Sequence, residues 1–359
     1  MLESESMSEN INNSEKLSHT WPKNGTERVE ICPVCSSKER SKVYDSLTDK
    51  VFFCAPGEWE LYRCKSCGSG YLDPRPTPET ISIAYSNYFT HQYDDISGMG
   101  YFRRLLFSLA NGYRNKKYGT KLKPSNALGY WLALLLPSQQ AILDASMRHL
   151  PHPKTGQRLL DVGCGSGKFL MRAKEAGWDV TGVDPDPKAV DAARMRGLDV
   201  YRGNIDVVSE MQESFDRITL SHVIEHVHDP IKMLQSCNNL LKPGGWLWID
   251  TPNFISLGFN EYGRNWLHLD PPRHLVLFTP NALKKALEAT GFSNIEDEQW
   301  RPIYLEAAIA SEKIAHGKDP FAKSSVLKYF RIRAWLQEKK ARKNSEIRDF
   351  ICLTARKNA

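Results

Sequence analysis

The sequence predicts an α/β protein with a doubly wound, mostly parallel sheet, a small N-terminal zinc ribbon and helical insertions. Three observations predict it. From Arg158 onward, short apolar runs alternate with segments of helical period, the pattern of a parallel sheet covered on both faces. The first of those runs ends in an acid and a glycine turn, "DVGCGSG". Two C-x2-C pairs, Cys32/Cys35 and Cys64/Cys67, stand near the N-terminus with the ligand spacing of a four-thiolate zinc site.

Bulk properties narrow the class. The chain has 359 residues, 41% of them hydrophobic and 25% charged, the range of an ordinary globular protein. The longest apolar run, "ALGYWLALLLP" at 127–137, is far short of the roughly 20 residues that span a bilayer. The N-terminus is polar and acidic and reads as a tail over 1–27 rather than a secretory signal. A cytoplasmic protein is expected, with peripheral contact at the inner membrane face as a further expectation. The net charge of +6 is local: residues 101–123 carry seven Lys/Arg and no acid, and 323–343 carry eight with one Glu. Two such patches point to anionic partners or to solvated helix faces.

Taken in order, residues 28–76 form the ribbon, with "KVYDSL", "VFFCA" and "WELYRC" as short strands between the cysteine pairs. Each pair supplies two thiolates from one tight turn, and metal would stabilise a segment too small for its own core. Cys54, Cys164, Cys237 and Cys352 read as plain buried thiols. Residues 77–150 form a helical linker or lid, starting with a helix at Pro78–Tyr88 and broken by a basic stretch at Asn115–Lys123. The core follows over 151–359. Its strands are "RLLDVG", "DVTGVDP", "DVYRGN", "FDRITLSHV", "GWLWIDTP", "SNIEDEQW" and "IRDFICLTARK". Its helices are "GKFLMRAKEAG", closed by Gly177, "PKAVDAARMRG", "PIKMLQSCNNLLKPGG" and "TPNALKKALEATGF", which Thr279 can cap. Residues 301–345 are a helical insertion before the last strand.

The glycine turn discriminates between ligands. A phosphate loop needs glycine at Val162 and a hydroxyl at Phe169; a dinucleotide fingerprint needs glycine at Lys168. Neither is present. The remaining pattern, D-x-G-x-G-x-G, puts an acid before the turn. That acid disfavours a pyrophosphate and favours a cationic or zwitterionic ligand.

The ordered set "LLDVGCGSGKFL … GVDPDP … GN … LSHVIEHVHDP … LLKPGGWLWIDTP" closely resembles the class I S-adenosylmethionine-dependent methyltransferases, a Rossmann-like fold whose seven-stranded sheet carries one antiparallel strand. The resemblance covers about 155–300. It implies that Gly163, Gly165 and Gly167 let the backbone approach S-adenosylmethionine and that Asp161 organises its amino-acid end. Asp184 would take both ribose hydroxyls, Asn204 and the Ile205 backbone would lie at the adenine, and Ser221 near the cofactor. Asn204 departs from the acid frequent in the family.

Beyond the cofactor, methyl transfer requires alignment and removal of a proton. His222, Glu225 and His226 are spaced i, i+3, i+4 and share one face of a helical turn. The segment resembles the E-x-x-E-H pattern of ubiquinone-pathway and small-RNA 2′-O-methyltransferases, with His222 replacing the first Glu. In those relatives the pattern, with a later histidine, can hold a divalent cation; the later histidine here is His274. Either His222 or His226 is a general base, or His222, Glu225, His226 and His274 hold a cation, or Glu225 and His226 tie strand to helix. His228 reads as a surface-loop residue. The loop 253–278 is too long and aromatic for a bare connector. It offers Trp266, His268, Arg273 and His274 to a substrate wall, with Arg273 suited to a phosphate or carboxylate; Trp266 equally suits a cover over the sheet edge.

The ribbon with "LYRCKSCGSGYLDPRP" and "YSNYFTH" also resembles sugar methyltransferases of deoxysugar and surface-polysaccharide pathways. Without a counterpart of the large C-terminal domain of their C-methylating branch, O-methylation of a small or lipid-linked saccharide is the expectation, with sugar C-methylation as an alternative. Residues 323–343 alternate Val326, Tyr329, Phe330, Trp335 and Leu336 with basic residues. They suit an anionic membrane surface, a cap over the substrate pocket, or nucleic acid. RNA binding or RNA methylation ranks second, for want of an ordered aromatic platform.

Overall fold

A computed structural model describes residues 20–86, 100–322 and 328–358. The expected tail therefore lies largely outside the described residues, as do the end of the 78–88 helix, most of "YSNYFTH", and 323–327. Within the described part of that helix, only a 3-10 turn, Ile81–Tyr85, is present.

The N-terminal unit contains β1 (Thr26–Glu27), β2 (Arg40–Leu47), β3 (Trp59–Cys64), β4 (Gly70–Leu72) and β5 (Arg75–Pro76). The segment "VFFCA" is not a strand. The Asp49 carboxylate accepts the backbone N–H groups of Val51, Phe52, Cys54 and Ala55, which wraps the chain around one buried acid and denies it a ladder. Three helices follow: α1 (Tyr101–Tyr118), ended by Gly119 in the left-handed conformation, α2 (Leu128–Leu135) and α3 (Pro137–Ala145).

The core runs β6 (Arg158–Val162), α4 (Lys168–Glu175), β7 (Asp179–Asp184), α5 (Pro187–Met195), β8 (Asp199–Arg202), β9 (Phe215–Ser221), α6 (Pro230–Leu240) and β10 (Leu241–Pro252). It continues through α7 (Leu257–Tyr262), β11 (Val276–Leu277), α8 (Pro280–Ala289), β12 (Phe292–Asp297), α9 (Tyr304–Ala315), α10 (Lys328–Lys343) and β13 (Phe350–Lys357). Seven strands form one sheet in the order β12-β13-β10-β9-β6-β7-β8. β13 is antiparallel to both its neighbours, whereas β6 to β10 run parallel.

Alternating side chains explain why the sheet is buried twice. Leu160 and Val162 pack with Ile218, Leu220, Leu234 and Leu283 on one face, while Leu159 packs with Leu170, Val180 and Val190 on the other. Asp186, Asp229 and Thr279 cap α5, α6 and α8 by accepting the N–H of Lys188, Lys232 and Ala282.

The ribbon is joined to the core by backbone. β11 pairs antiparallel with β4, Val276 opposite Tyr71 and Leu277 opposite Gly70, so a core strand completes a four-stranded sheet in the order β11-β4-β3-β2. Trp59, Leu61, Leu72, Phe254, Phe259, Trp266 and Leu277 form a shared apolar cluster.

Candidate active site

The sheet order reverses between β6 and β9, since β6 continues sideways to β7 while β9 leads to β10. In open α/β sheets a crevice opens at that switch point, beyond the carboxyl ends of the strands. The sequence-predicted cofactor residues lie there. Gly163, Gly165 and Gly167 all have positive φ, but their surroundings differ. A Cβ on Gly163 would lie 2.5 Å from Val223 Cγ2, and one on Gly167 2.3 Å from Leu198 Cδ1. At Gly165 nothing lies within 4 Å. Gly163 and Gly167 thus serve close packing of the protein on itself, and Gly165 presents backbone to open space.

Asp161 is fully buried. Its Oδ1 accepts from Thr219 Oγ1 at 2.9 Å and pairs with Arg148, while Oδ2 has no partner. A buried carboxylate oxygen left unpaired next to the glycine turn fits an ammonium group. Asp184 Oδ2 accepts Gly165 N–H at 2.7 Å and Oδ1 accepts Asp186 N–H at 2.9 Å. Each oxygen keeps a second lone pair for hydroxyl donors. Burial is the main cause that raises the pKa of both acids. Asn204 is exposed at the end of β8 without capping the turn that Ile205 begins, and Ile205 is buried. Ser221 ends β9 opposite Asp250.

Arg148 is a residue that the sequence reading missed. It sits in a loop at φ 48°, donates to Thr219 Oγ1 at 2.7 Å and stacks on Phe169 with 3.9 Å to the ring centroid. No motif marks it, because its role comes from a fold that brings it beside Asp161.

The histidine cluster divides in two. His222 follows β9 at φ 55°. Its side chain is 41% exposed, its Nδ1 lies 3.3 Å from Glu225 Oε1, and its Nε2 lies 3.6 Å from Asp250 Oδ2, beyond hydrogen-bond reach. Burial opposes a charged ring there, but Glu225 and Asp250 outweigh it and the pKa rises above 6.5. Asp250 in turn pairs with Arg301; neither residue was singled out from the sequence, although an acid ending "GWLWID" was a legible signal.

Glu225 is fully buried and also accepts from Thr251 Oγ1 at 2.9 Å. Burial raises its pKa, and the His222 hydrogen bond with the other imidazoles outweighs that, holding it at about 2. On its other side stand His226 and His274, and one ligand atom from each of Glu225, His226 and His274 lies within 4.8 Å of the others. His226 Nδ1 lies 3.0 Å from Arg273 O, and His274 Nδ1 2.8 Å from His268 O. A carbonyl accepts the Nδ1 proton in both rings, with Tyr85 Oη also 2.9 Å from His226 Nδ1; this leaves Nε2 as an acceptor, as in metal-binding histidines whose other ring nitrogen is held by a carbonyl. Burial lowers both rings to about 4, so they are neutral and ligand-competent near neutral pH. His222 stands outside this group of three.

Three expectations change. Arg273 cannot grip a substrate anion: its guanidinium is fully buried and shared between Asp270 and Asp49. Trp266 packs in the apolar cluster under the ribbon and lines no open wall. His228 is half-buried, with Nε2 2.9 Å from Pro76 O and its own carbonyl accepting from Arg75, so it ties the ribbon's exit to the core.

In the ribbon, Cys32, Cys35, Cys64 and Cys67 converge, with Sγ atoms 3.6 Å apart for Cys32–Cys67 and 3.5 Å for Cys35–Cys64. A disulfide needs about 2.05 Å. Zn–S bonds of about 2.3 Å in a tetrahedron set sulfurs about 3.8 Å apart, so the cluster fits zinc.

An open, mostly parallel sheet with an acid-flanked glycine turn at its switch point defines a binder of a nucleoside with a cationic tail. A family profile described as "Methyltransferase domain" matches residues 138–297. The chain is 36% identical over 176 residues to a ubiquinone biosynthesis O-methyltransferase of Paracidovorax citrulli, covering 45% of this chain and 74% of the relative. It is 40% identical over 111 residues to the protein of that name from Xanthomonas oryzae, covering 29% of this chain but under half of the relative, 46%. A SAM-dependent methyltransferase structure from Archaeoglobus fulgidus aligns over 64% of this chain at 22% identity, with a TM-score of 0.43. The protein belongs to the class I S-adenosylmethionine-dependent methyltransferases.

Proposed function

We propose that the chain methylates a hydroxyl oxygen of a saccharide-type or lipid-linked acceptor, with His222 as the general base. The carrying observation is the setting of His222. Its ring edge is open at the end of β9, Nδ1 is oriented by the buried Glu225, and Nε2 has no hydrogen bond. A base oriented by a carboxylate, on a side chain 41% exposed and with its second nitrogen not hydrogen-bonded, suits removal of a hydroxyl proton. Asp161, the Gly165 backbone, Asp184 and Asn204 would hold S-adenosylmethionine, which when bound would supply an electrophilic methyl group on a sulfonium. The chain's own part is to align the acceptor, exclude water and take the proton at His222 Nε2. The names of the curated relatives support oxygen as the acceptor atom. The saccharide class rests on the ribbon's resemblance to polysaccharide-pathway enzymes.

The test is S-adenosylhomocysteine release with sugar nucleotides and lipid-linked sugars, with RNA in parallel. His222→Gln is expected to lower kcat by about 10²–10⁴-fold while leaving S-adenosylhomocysteine affinity unchanged. Turnover of RNA alone, or an unchanged kcat in the variant, retires the proposal.

A second reading is favoured by the grouping of Glu225, His226 and His274. These three would hold a divalent cation that grips the acceptor's hydroxyls, beside a structural zinc on the four cysteines. Two ions per chain, falling to one in His274→Ala, is the expected result of metal analysis; one ion in the wild type retires the second site. Removal of the ribbon zinc by a chelator is expected to raise hydrogen exchange first at the two cysteine turns and β4. Exchange should then rise at Val276–Leu277, whose ladder partner is β4. Unaltered protection at those positions would count against zinc.

A further inference from the structure

Helices α1 and α2 form an antiparallel hairpin with a very close backbone contact. A Cβ on Gly112 would lie 1.8 Å from Asn126 O, and one on Gly129 would lie 1.8 Å from Leu109 O. The glycine side of each helix is therefore turned inward, with Tyr113 and Ala133 buried beside it. Beyond this contact, toward the start of α1 and the end of α2, apolar side chains face outward.

On α2, Leu128 is 63% exposed, Trp131 63%, Leu132 43% and Leu135 76%. Those positions are spaced i, i+3, i+4, i+7, one continuous stripe of a helix. Such a stripe normally covers a core; here it meets solvent. On α1, Tyr101, Phe102 and Leu106 are exposed in the same way, with Arg103 and Arg104 exposed between them. The pairing of 109 with 129 and 112 with 126, extended along the hairpin, sets Leu106 level with Leu132 and Phe102 level with the exposed Leu136. The two stripes thus merge at one end of the hairpin.

The charge pattern selects the occupant. From Tyr101 through Leu143 there is no Asp or Glu. The first acid, Asp144, is buried and consumed by Tyr113, Tyr118 and Lys117. Arg103, Arg104, Lys116, Lys121 and Lys123 are all exposed. A second copy of this face would bring cation against cation. An anionic bilayer matches both features, with Trp, Phe and Leu entering the acyl boundary and basic residues meeting the headgroups.

We infer that the α1–α2 hairpin docks the chain on an anionic bilayer surface without crossing it. No helix among the described residues is long and apolar enough to cross a membrane. The hairpin runs directly into α3, and Ala145 and His149 at its end line a small pocket with Arg301, Asp349 and Phe350. The inference stands apart from the acceptor's identity, since binding is read without turnover.

The experiment is sedimentation of the full chain with phosphatidylglycerol/phosphatidylcholine vesicles and with phosphatidylcholine vesicles, at low and high salt. Binding to the anionic vesicles is expected, at least tenfold weaker without phosphatidylglycerol. The double variant Trp131→Ser/Leu135→Ser should lose more than tenfold in partitioning with an unchanged thermal melt. Arg103→Gln/Arg104→Gln should lose about thirtyfold at low salt, at about 1 kcal/mol per charge. Absence of vesicle binding overturns the inference, and so does binding lost only with Trp335→Ser/Leu336→Ser, on the exposed side of α10. A dimer that Trp131→Ser dissociates, with no vesicle binding, assigns the face to a second copy and overturns it equally.

Discussion

Arg273→Ala is expected to cost about 3–5 kcal/mol of stability and to lower Tm by roughly 10 °C. The guanidinium donates from Nη1 to Asp49 Oδ2 at 3.0 Å and to Ala84 O at 2.8 Å, and from Nε to Asp270 at 3.0 Å, and it packs over Phe52. Its removal strands two carboxylates in the interior, one from the ribbon and one from the core loop. Arg273→Lys should not restore stability, because a point charge cannot bridge two acids as the planar fork does. Thermal and urea unfolding of the three proteins check this; a Tm within 2 °C of wild type for Arg273→Ala would show that the buried triad contributes little.

The same triad has a pH signature. Burial works to raise the Asp49 pKa, but Arg273 and four backbone N–H groups outweigh it and hold the carboxyl at about 2. A depressed carboxyl contributes stability that is present above its unfolded pKa, about 3.9, and lost as pH falls through the folded value. The wild type should therefore lose stability between about pH 4 and pH 2 more steeply than Asp49→Asn does.

Asp184→Ala should weaken S-adenosylhomocysteine binding by at least a hundredfold. Two hydrogen bonds to an ionised carboxylate are worth about 1.5–3 kcal/mol each, and the substitution also releases the Gly165 N–H that Asp184 holds at 2.7 Å. The glycine turn then loses its tether at the one glycine that faces open space. Asp184→Asn keeps an acceptor for that N–H and should show an intermediate loss. Calorimetric titration decides, and unchanged affinity in Asp184→Ala would refute a ribose-binding role.

Much of the site was legible in local sequence because its parts are local. Asp161 and the three glycines occupy one turn, Asp184 ends the next strand, and His222, Glu225 and His226 lie within five residues. Backbone geometry alone brings such groups to the same end of a sheet. The four cysteines were legible for a similar reason: each pair is one turn, and a metal demands that the turns meet. His274 was reached only through resemblance, and the structure groups it with Glu225 and His226 but not with His222. The roles of the three glycines could not be separated in sequence, since only packing shows that Val223 and Leu198 crowd two of them and leave Gly165 open.

What the amino-acid sequence alone determined is the alternating sheet, the acid-flanked glycine turn and the thiolate cluster, because these follow from periodicity, φ preference and ligand spacing. Only the tertiary structure decided what long-range contact controls. Arg273, which local chemistry casts as an anion grip, is neutralised by Asp49, 224 residues away. A core strand, β11, completes the ribbon's sheet. The apolar run at 127–137, too short to span a bilayer, turns its stripe outward because Gly112 and Gly129 let the other side of the hairpin close on itself. Burial and pairing depend on which distant segments share a surface, and no window of sequence contains that information.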